Sequence, residues 1–250
     1  MSDDLVSLRM LIVTPSSADR DLWRQAIGLA PMPIEFIEAE GLPAAQPLLA
    51  RGAADIVLLD AGIPEPERSA IANAARAAAS APFIVIKAQN DSVARGVDAD
   101  GVVTKPSSVA EAQYLIDRIT HVRIPIKVLI VDDSSTMRSI VRKILFATRF
   151  PITVDEAEEG GAALARIRDG NFDVVFLDYN MPGLNGLETL AEIKRDHPRL
   201  EVVMISSTQD DGMAARVRSA GAAAFLRKPF FPSDIDVVLH AFCGMRPAPG

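Results

Sequence analysis

The chain is poor in the residues from which redox and metal centres are commonly built. Its 250 residues include one cysteine, three histidines and one tryptophan. A lone Cys243 excludes an internal disulfide framework and fits a reducing compartment, so a cytoplasmic protein is expected. His121, His197, His240 and Cys243 are too scattered along the chain to suggest a zinc site. Long hydrophobic runs are missing as well. Val174–Leu177 is strand-sized and ends on a carboxylate, far short of the roughly 20 residues of a spanning helix, so no membrane association is expected. Met1-Ser2-Asp3-Asp4 is acidic where a signal peptide would be basic. Positive charge is not in excess either. The net charge is −7, with 11 basic residues against 16 acidic before Pro125, and 15 against 17 from there on. Neither half is a basic module, and a nucleic-acid partner is not expected.

What the chain does have is a core and a repeat. Hydrophobic residues make up 49% and charged residues 24%, the balance of a folded globular protein. Leu8-Arg9-Met10-Leu11-Ile12-Val13 returns as Ile126-Lys127-Val128-Leu129-Ile130-Val131, at an offset of 118. The same offset carries Asp55-Ile56-Val57-Leu58-Leu59-Asp60 onto Asp173-Val174-Val175-Phe176-Leu177-Asp178, and Ile63-Pro64 onto Met181-Pro182. Lys105-Pro106 reaches Lys228-Pro229 only at 123, so the first copy lacks five residues between its aspartate and its lysine. Aligning Lys87 with Ser206 puts one of these before Lys87 and four, about one helical turn, after it. A period of this length is a domain, not a solenoid repeat. Residues 1–121 are read as one domain and 126–245 as a second, joined by Val122-Arg123-Ile124-Pro125. The tail, residues 246–250, is expected to be disordered.

Within each copy, short apolar runs alternate with helical patterns. Val128–Val131, Val174–Leu177 and Val202–Ile205 are near-continuous, as in strands buried on both faces of a parallel sheet. Met137, Ile140, Val141, Ile144 and Leu145 fall at helical spacing, as do Ile235, Val238, Leu239 and Phe242. Ser108 with Glu111, and Ser233 with Asp236, resemble capping boxes. The fold class is therefore α/β: two tandem doubly wound parallel-sheet domains, each with five strands and five helices, the fourth helix of the first copy being shortened.

Four polar positions of the second copy follow the ends of apolar runs. Asp132-Asp133 follow Val131, Asp178 follows Leu177, Ser206 follows Ile205, and Lys228 follows Phe225-Leu226-Arg227. In an open parallel sheet the carboxyl ends of the strands converge on one crevice. Three carboxylates there repel one another and call for a cation. Oxygen ligands favour Mg²⁺, Mn²⁺ or Ca²⁺, and Mg²⁺ usually completes its shell with water and phosphate oxygens. One carboxylate is then left to attack phosphorus, with lysine and metal stabilising the transferred group.

Val128-Leu129-Ile130-Val131-Asp132-Asp133-Ser134, Leu177-Asp178-Tyr179-Asn180-Met181-Pro182-Gly183, Met204-Ile205-Ser206-Ser207 and Lys228-Pro229-Phe230 together resemble the receiver domains of two-component response regulators. The resemblance covers the whole second copy. It implies a flavodoxin-like receiver fold of strand order 2-1-3-4-5. It implies Asp178 as phosphoacceptor, taking phosphate from a sensor histidine kinase or a histidine phosphotransfer protein. Asp132 and Asp133, with Asp178 and the Asn180 backbone carbonyl, would hold Mg²⁺ (or Mn²⁺). Ser206 would be the switch hydroxyl, and Lys228 would contact a phosphoryl oxygen. Phe225 falls where the family has an aromatic rotamer switch; plain packing is its other reading. A homodimer is implied by the same resemblance. With only a short tail after the second copy, output is expected through contacts with a downstream protein target, as a phosphorelay step, a phosphate sink or a binding switch. The protein would not be an enzyme beyond its own phosphorylation and dephosphorylation.

The first copy departs from the pattern. Thr14-Pro15 replaces the acidic pair, Lys87 replaces the switch hydroxyl, Gly62 stands for Asn180 and Val102 for Phe225, while Asp60 and Lys105 remain. It resembles a degenerate receiver in which Lys87 reaches Asp60. Two other functions compete. A phosphohydrolase of the haloacid dehalogenase type also uses a strand-end aspartate, but it needs a second Asp where Asn180 stands. A nucleotide-binding Rossmann protein needs a glycine-rich loop after the first strand, and neither copy has one.

Overall fold

The computed structural model describes residues 7–89, 95–208, 210 and 212–249. The chain divides into two compact units, residues 1–120 with 240–250, and residues 121–239. The first half runs β1 (Leu8–Val13), α1 (Ser17–Gly28), β2 (Ile34–Ala39), α2 (Leu42–Ala50), β3 (Ile56–Asp60), α3 (Glu65–Arg76), β4 (Phe83–Ala88), β5 (Gly101–Thr104) and α4 (Val109–Ile119). The second runs β6 (Ile126–Val131), α5 (Ser135–Phe146), β7 (Ile152–Ala157), α6 (Gly160–Asp169), β8 (Val174–Asp178), α7 (Gly186–Asp196), β9 (Glu201–Ser206), α8 (Met213–Ser219), β10 (Ala224–Arg227) and α9 (Pro232–Phe242), with a last short strand β11 (Arg246–Pro247).

Both sheets have the doubly wound order. Neighbours run β2-β1-β3-β4-β5 in one and β7-β6-β8-β9-β10 in the other, all parallel. Burial follows strand position. β3, β4 and β8 are buried at every residue, because helices cover both faces of the sheet. β2 and β7 lie at edges; β7 exposes alternate residues, Thr153 and Asp155, and β2 exposes Glu35 and Glu38. Each sheet packs one apolar face on a core: Leu11, Val57, Leu59, Ile84 and Ile86 in the first unit, Leu129, Val175, Leu177, Val202 and Met204 in the second. Trp23 is buried in the first unit, 1% exposed.

Four expectations are corrected. The first concerns the tail, which has structure. Arg246–Pro247 pairs antiparallel with Gly101–Val102, making the first sheet six-stranded where five strands were expected. Residues 240–250 belong to the first unit, so the expected second-domain end at 245 moves back to 239. The reason is an open edge. β5 offers unpaired backbone groups, Met245 is buried as an anchor, and Ala248 packs against the first core. Gly101 makes the approach possible: a Cβ there would stand 3.0 Å from Met245 Sδ.

The second correction is to the alignment of the copies. Lys87 pairs with Asp60 across the sheet, and Ile205 pairs with Asp178 in the same way. The amide of Lys105 bonds the carbonyl of Ala88, and that of Lys228 bonds the carbonyl of Ser206. Lys87 therefore occupies the position of Ile205, and Ala88 that of Ser206. All five missing residues fall after β4. In a strand the side chain alternates sides, so this one-residue shift moves Lys87 to the face of the sheet that carries Asp60.

Third, between Ala88 and Gly101 the described residues contain no helix, where a shortened one was expected; residues 90–94, on which it would partly fall, lie outside the described residues. Fourth, Ser233 lies inside α9 and does not cap it. The helix starts at Pro232, and Asp234 accepts the Phe231 amide at 2.7 Å, so the cap sits two residues earlier. Ser108 does cap α4, accepting the Glu111 amide at 3.2 Å, while the Glu111 carboxylate turns to Ser107.

Candidate functional site

In the second unit the crevice is built from strand ends. Ser134 caps α5 by accepting the Met137 amide at 3.3 Å, which fixes the turn just after β6. The Ser134 amide in turn donates to Asp132 Oδ1 at 2.8 Å. Asp178 ends β8, and its Oδ2 accepts the Asn180 amide at 3.1 Å. Lys228 follows β10 and reaches both carboxylates, 2.9 Å from Asp132 Oδ2 and 2.7 Å from Asp178 Oδ1. Gly186 lets α7 begin against the same backbone: a Cβ there would lie 2.3 Å from the Asp178 carbonyl oxygen.

One oxygen from each of Asp132, Asp133 and Asp178 lies within 4.8 Å of the others. Asp132 and Asp178 are buried and Asp133 is exposed. Three carboxylates against one ammonium leave two negative charges uncompensated. Burial pushes the Asp178 carboxyl above its usual range, and Asp132 adds to this while Lys228 opposes it. For Lys228, burial works against the charge, but Asp178 and Asp132 outweigh it and raise its pKa. An all-oxygen, charge-deficient set with one member open to solvent fits a hard divalent cation. Mg²⁺ would be held by Asp132, Asp133 and Asp178, with the Asn180 carbonyl as the further ligand the resemblance implies.

Ser206 is fully buried at the end of β9, and its Oγ accepts the Thr208 amide at 3.1 Å. Phe225 is half-buried and packs against the core of the unit. Arg138 was not singled out by sequence. Its guanidinium donates to the Asp132 carbonyl oxygen at 2.8 Å and to Glu156 at 2.9 Å, pinning the turn that carries the acidic pair. The signal was present in the repeat: Arg20 of the first unit donates to the Thr14 carbonyl oxygen at 2.8 Å, 118 residues earlier.

The crevice of the first unit is filled from within. Lys87 is fully buried, and its Nζ stands 2.9 Å from Asp60 Oδ2 and 3.3 Å from Asp19 Oδ2. Lys105 Nζ lies 2.6 Å from Asp19 and 3.6 Å from Asp60. Thr14 Oγ1 donates to Asp60 Oδ2 at 2.8 Å, and the Gly62 amide donates to Asp60 Oδ1 at 2.8 Å. Pro15 brings no side-chain ligand atom and no amide proton. Burial alone would raise the Asp60 carboxyl, but the Gly62 amide, Lys87 and Thr14 outweigh it and hold it well below the carboxylate range. Asp19 was missed by sequence. It sits three residues after the α1 cap Ser16, whose Oγ accepts its amide at 3.2 Å, a spacing that reads as a helix start and not as a site.

Comparisons with known proteins agree with the geometry. The family model of the response regulator receiver domain matches residues 128–240. Over 106 residues the chain is 37% identical to chemotaxis protein CheY of Pseudomonas aeruginosa, covering 42% of this chain and 85% of that protein. It is 42% identical over 114 residues to a protein-glutamate methylesterase/protein-glutamine glutaminase of Geobacillus kaustophilus; the match takes in 45% of this chain and only 32% of that enzyme. A solved structure of a probable two-component system response regulator/GGDEF domain protein superposes with a TM-score of 0.52 at 25% identity, over 94% of this chain and 98% of that one. No helix among the described residues is long and apolar enough to cross a membrane. With two doubly wound sheets of receiver topology, an acidic crevice in the second and a matching family model, the chain belongs to the response regulator receiver family of two-component systems.

Proposed function

We propose that the protein is a tandem-receiver response regulator whose second unit accepts a phosphoryl group on Asp178 and signals through protein contacts. The observation that carries this is the crevice itself: a buried aspartate with one oxygen on Lys228, beside two further carboxylates with too little positive charge to balance them. An Asp178 oxygen attacks the phosphorus of a partner's phosphohistidine. The new P–O bond forms as the P–N bond breaks, and the imidazole leaves. Bound Mg²⁺ supplies the positive charge that lets a phosphate dianion approach the carboxylates. Lys228 meets a phosphoryl oxygen and keeps its proton throughout. The Ser206 hydroxyl, released from Thr208, donates to the phosphoryl group and so reports its presence. The donor is a sensor histidine kinase or a histidine phosphotransfer protein, in the cytoplasm.

The test is intact mass after incubation with a small phosphodonor and Mg²⁺. One phosphoryl adduct is expected on the wild type and on Asp60→Ala. None is expected on Asp178→Ala or in excess EDTA. An adduct that survives Asp178→Ala, or labelling that ignores EDTA, overturns the assignment.

A further inference from the structure

We infer that Lys87 is a tethered cation that takes the place of metal in the first receiver, leaving that unit metal-independent and closed to phosphate. This does not rest on Asp178 being phosphorylated. It rests on four observations within the first unit.

The first is charge. The crevice of the first unit gathers Asp60 and Asp19 against Lys87 and Lys105, two carboxylates and two ammoniums. The set is neutral without any ion from solution. The equivalent crevice of the second unit has three carboxylates and one lysine. The second is burial. Lys87 is 0% exposed, and burying an ammonium without a partner is costly. Two carboxylates, at 2.9 and 3.3 Å, supply the pairing that a buried ammonium needs. The third is register. Lys87 stands where the second unit has Ile205, beside the aspartate in the sheet. Its aliphatic stem fills an isoleucine's place in the sheet, and its ammonium ends 2.9 Å from Asp60 Oδ2. The fourth is the missing hydroxyl. Ala88 holds the position of Ser206, so nothing there can report a phosphoryl group.

The Lys87 ammonium is bonded to Asp60 Oδ2 and is fully buried, where the Lys228 ammonium on Asp178 is partly open to solvent. Thr14 donates to the same oxygen, and Gly62 holds the other. Asp60 Oδ2 thus carries two donors, Lys87 and Thr14, where neither oxygen of Asp178 carries more than one. Asp19 completes the arrangement by bridging the two lysines from α1, so three strand ends and a helix are tied together by one charge network.

The experiment uses the full chain and its single tryptophan. Trp23 is buried in the first unit, on α1, one turn after Asp19, so its fluorescence reports the unfolding of that unit. Urea unfolding followed at Trp23 should be unmoved by millimolar Mg²⁺ in the wild type. Lys87→Met should lower the midpoint by about 1 M or more, as removal of one partner strands a buried charge. Adding Asp60→Asn to Lys87→Met should recover at least about half of that loss, because the stranded charge is then gone. Peptide mapping of the phosphodonor-treated wild type should find no label on Asp60. A Mg²⁺-dependent rise in the wild-type Trp23 midpoint overturns the inference, and so does label on Asp60. It also fails if Lys87→Met costs nothing, or if the double variant is no more stable than the single. Should Lys87→Met not fold, a folded double variant supports the inference and an unfolded one counts against it. A failure to label Asp178 would sink the proposed function while leaving each of these readings intact.

Discussion

Asp60 and Asp178 end equivalent strands, sit in the same register and are both buried, yet their surroundings drive them in opposite directions. Asp60 is held well below the carboxylate range and Asp178 is pushed above it. Part of this is backbone: the Gly62 amide is the strongest of the groups lowering Asp60, while the Asn180 amide is a minor one at Asp178. Each aspartate accepts an amide two residues on, Gly62 for Asp60 and Asn180 for Asp178. What else differs is one neighbour in the sheet, Lys87 against Ile205, and the loss of the acidic pair to Thr14-Pro15. The same frame can thus carry a depressed carboxyl or a raised one, according to the neighbours it places beside the aspartate. The frame itself is kept in detail. Arg20 and Arg138 brace the same carbonyl, and Asp55 and Asp173 accept the amide of the first strand's second residue, Arg9 and Lys127.

The sharpest way to break the contrast is to move the lysine. Ile205→Lys in the second unit places an ammonium beside Asp178 as Lys87 stands beside Asp60. Labelling of Asp178 by a small phosphodonor should fall by about 100-fold or more, about 2.7 kcal/mol of lost transition-state stabilisation. The labelling rate against Mg²⁺ concentration measures it. A variant that folds and labels at the wild-type rate would show that position 205 does not set the charge of the site.

Acid should reveal the same asymmetry through stability. A carboxyl depressed in the folded state contributes stability that is full above its unfolded pKa and is lost as pH falls through the folded value. For Asp60 that loss begins near the ordinary value of 3.8 and continues below it. The Trp23 midpoint should therefore fall more steeply with acid in the wild type than in the Lys87→Met/Asp60→Asn double variant. Parallel slopes would mean that Asp60 is not held by its neighbours.

Arg138 tests how far the site depends on its support. It binds the Asp132 carbonyl oxygen and is itself held by Glu156. Groups that orient metal ligands from behind typically cost 10–100-fold in affinity when lost. Arg138→Met should weaken Mg²⁺ binding, measured by calorimetry, by about 10-fold. The corresponding Arg20→Met should move only the Trp23 midpoint. Equal Mg²⁺ affinity in wild type and Arg138→Met would reduce the arginine to a plain structural brace.

Much of this was legible in the chain, for physical reasons. Continuous apolar runs such as Val174–Leu177 are too short for buried helices and read as buried strands, and the 118-residue offset repeated the strand signals in both copies. The polar residues after those runs located the second crevice, because strand ends in a parallel sheet converge. The alignment at Lys87 was misread because a polar residue after an apolar run looks like a strand end. A lysine with a long apolar stem can instead lie one position inside the strand. Asp19 was invisible because a carboxylate at the third residue of a helix has an ordinary capping role there. The tail was misjudged on its place at the terminus, which says nothing about an open sheet edge elsewhere in the fold.

That edge supplies the smallest expected effect. Arg246–Pro247 adds a strand of two residues to β5, opposite Val102 and Gly101. Ahead of it Met245 is buried and Cys243 is fully buried, its thiol pushed up to about 12 by burial, so it is inert packing. His240 approaches the Asp100 carbonyl oxygen at 2.9 Å, and the Arg118 guanidinium lies over the Phe242 ring at 4.7 Å. The segment is thus anchored well before the strand begins, and deleting residues 246–250 removes only the pairing and the Ala248 contact. Pairing over two residues and one small apolar contact is worth about 1 kcal/mol in all. The Trp23 midpoint should drop by a correspondingly small step, with labelling of Asp178 unchanged. Deletion back to His240 should cost several times more, since it strips buried Met245, Cys243 and Phe242 from the first unit. If the short deletion leaves the Trp23 transition where it was, the sixth strand does not stabilise the first sheet. If it costs as much as the long one, the tail is the anchor and the buried side chains ahead of it are not.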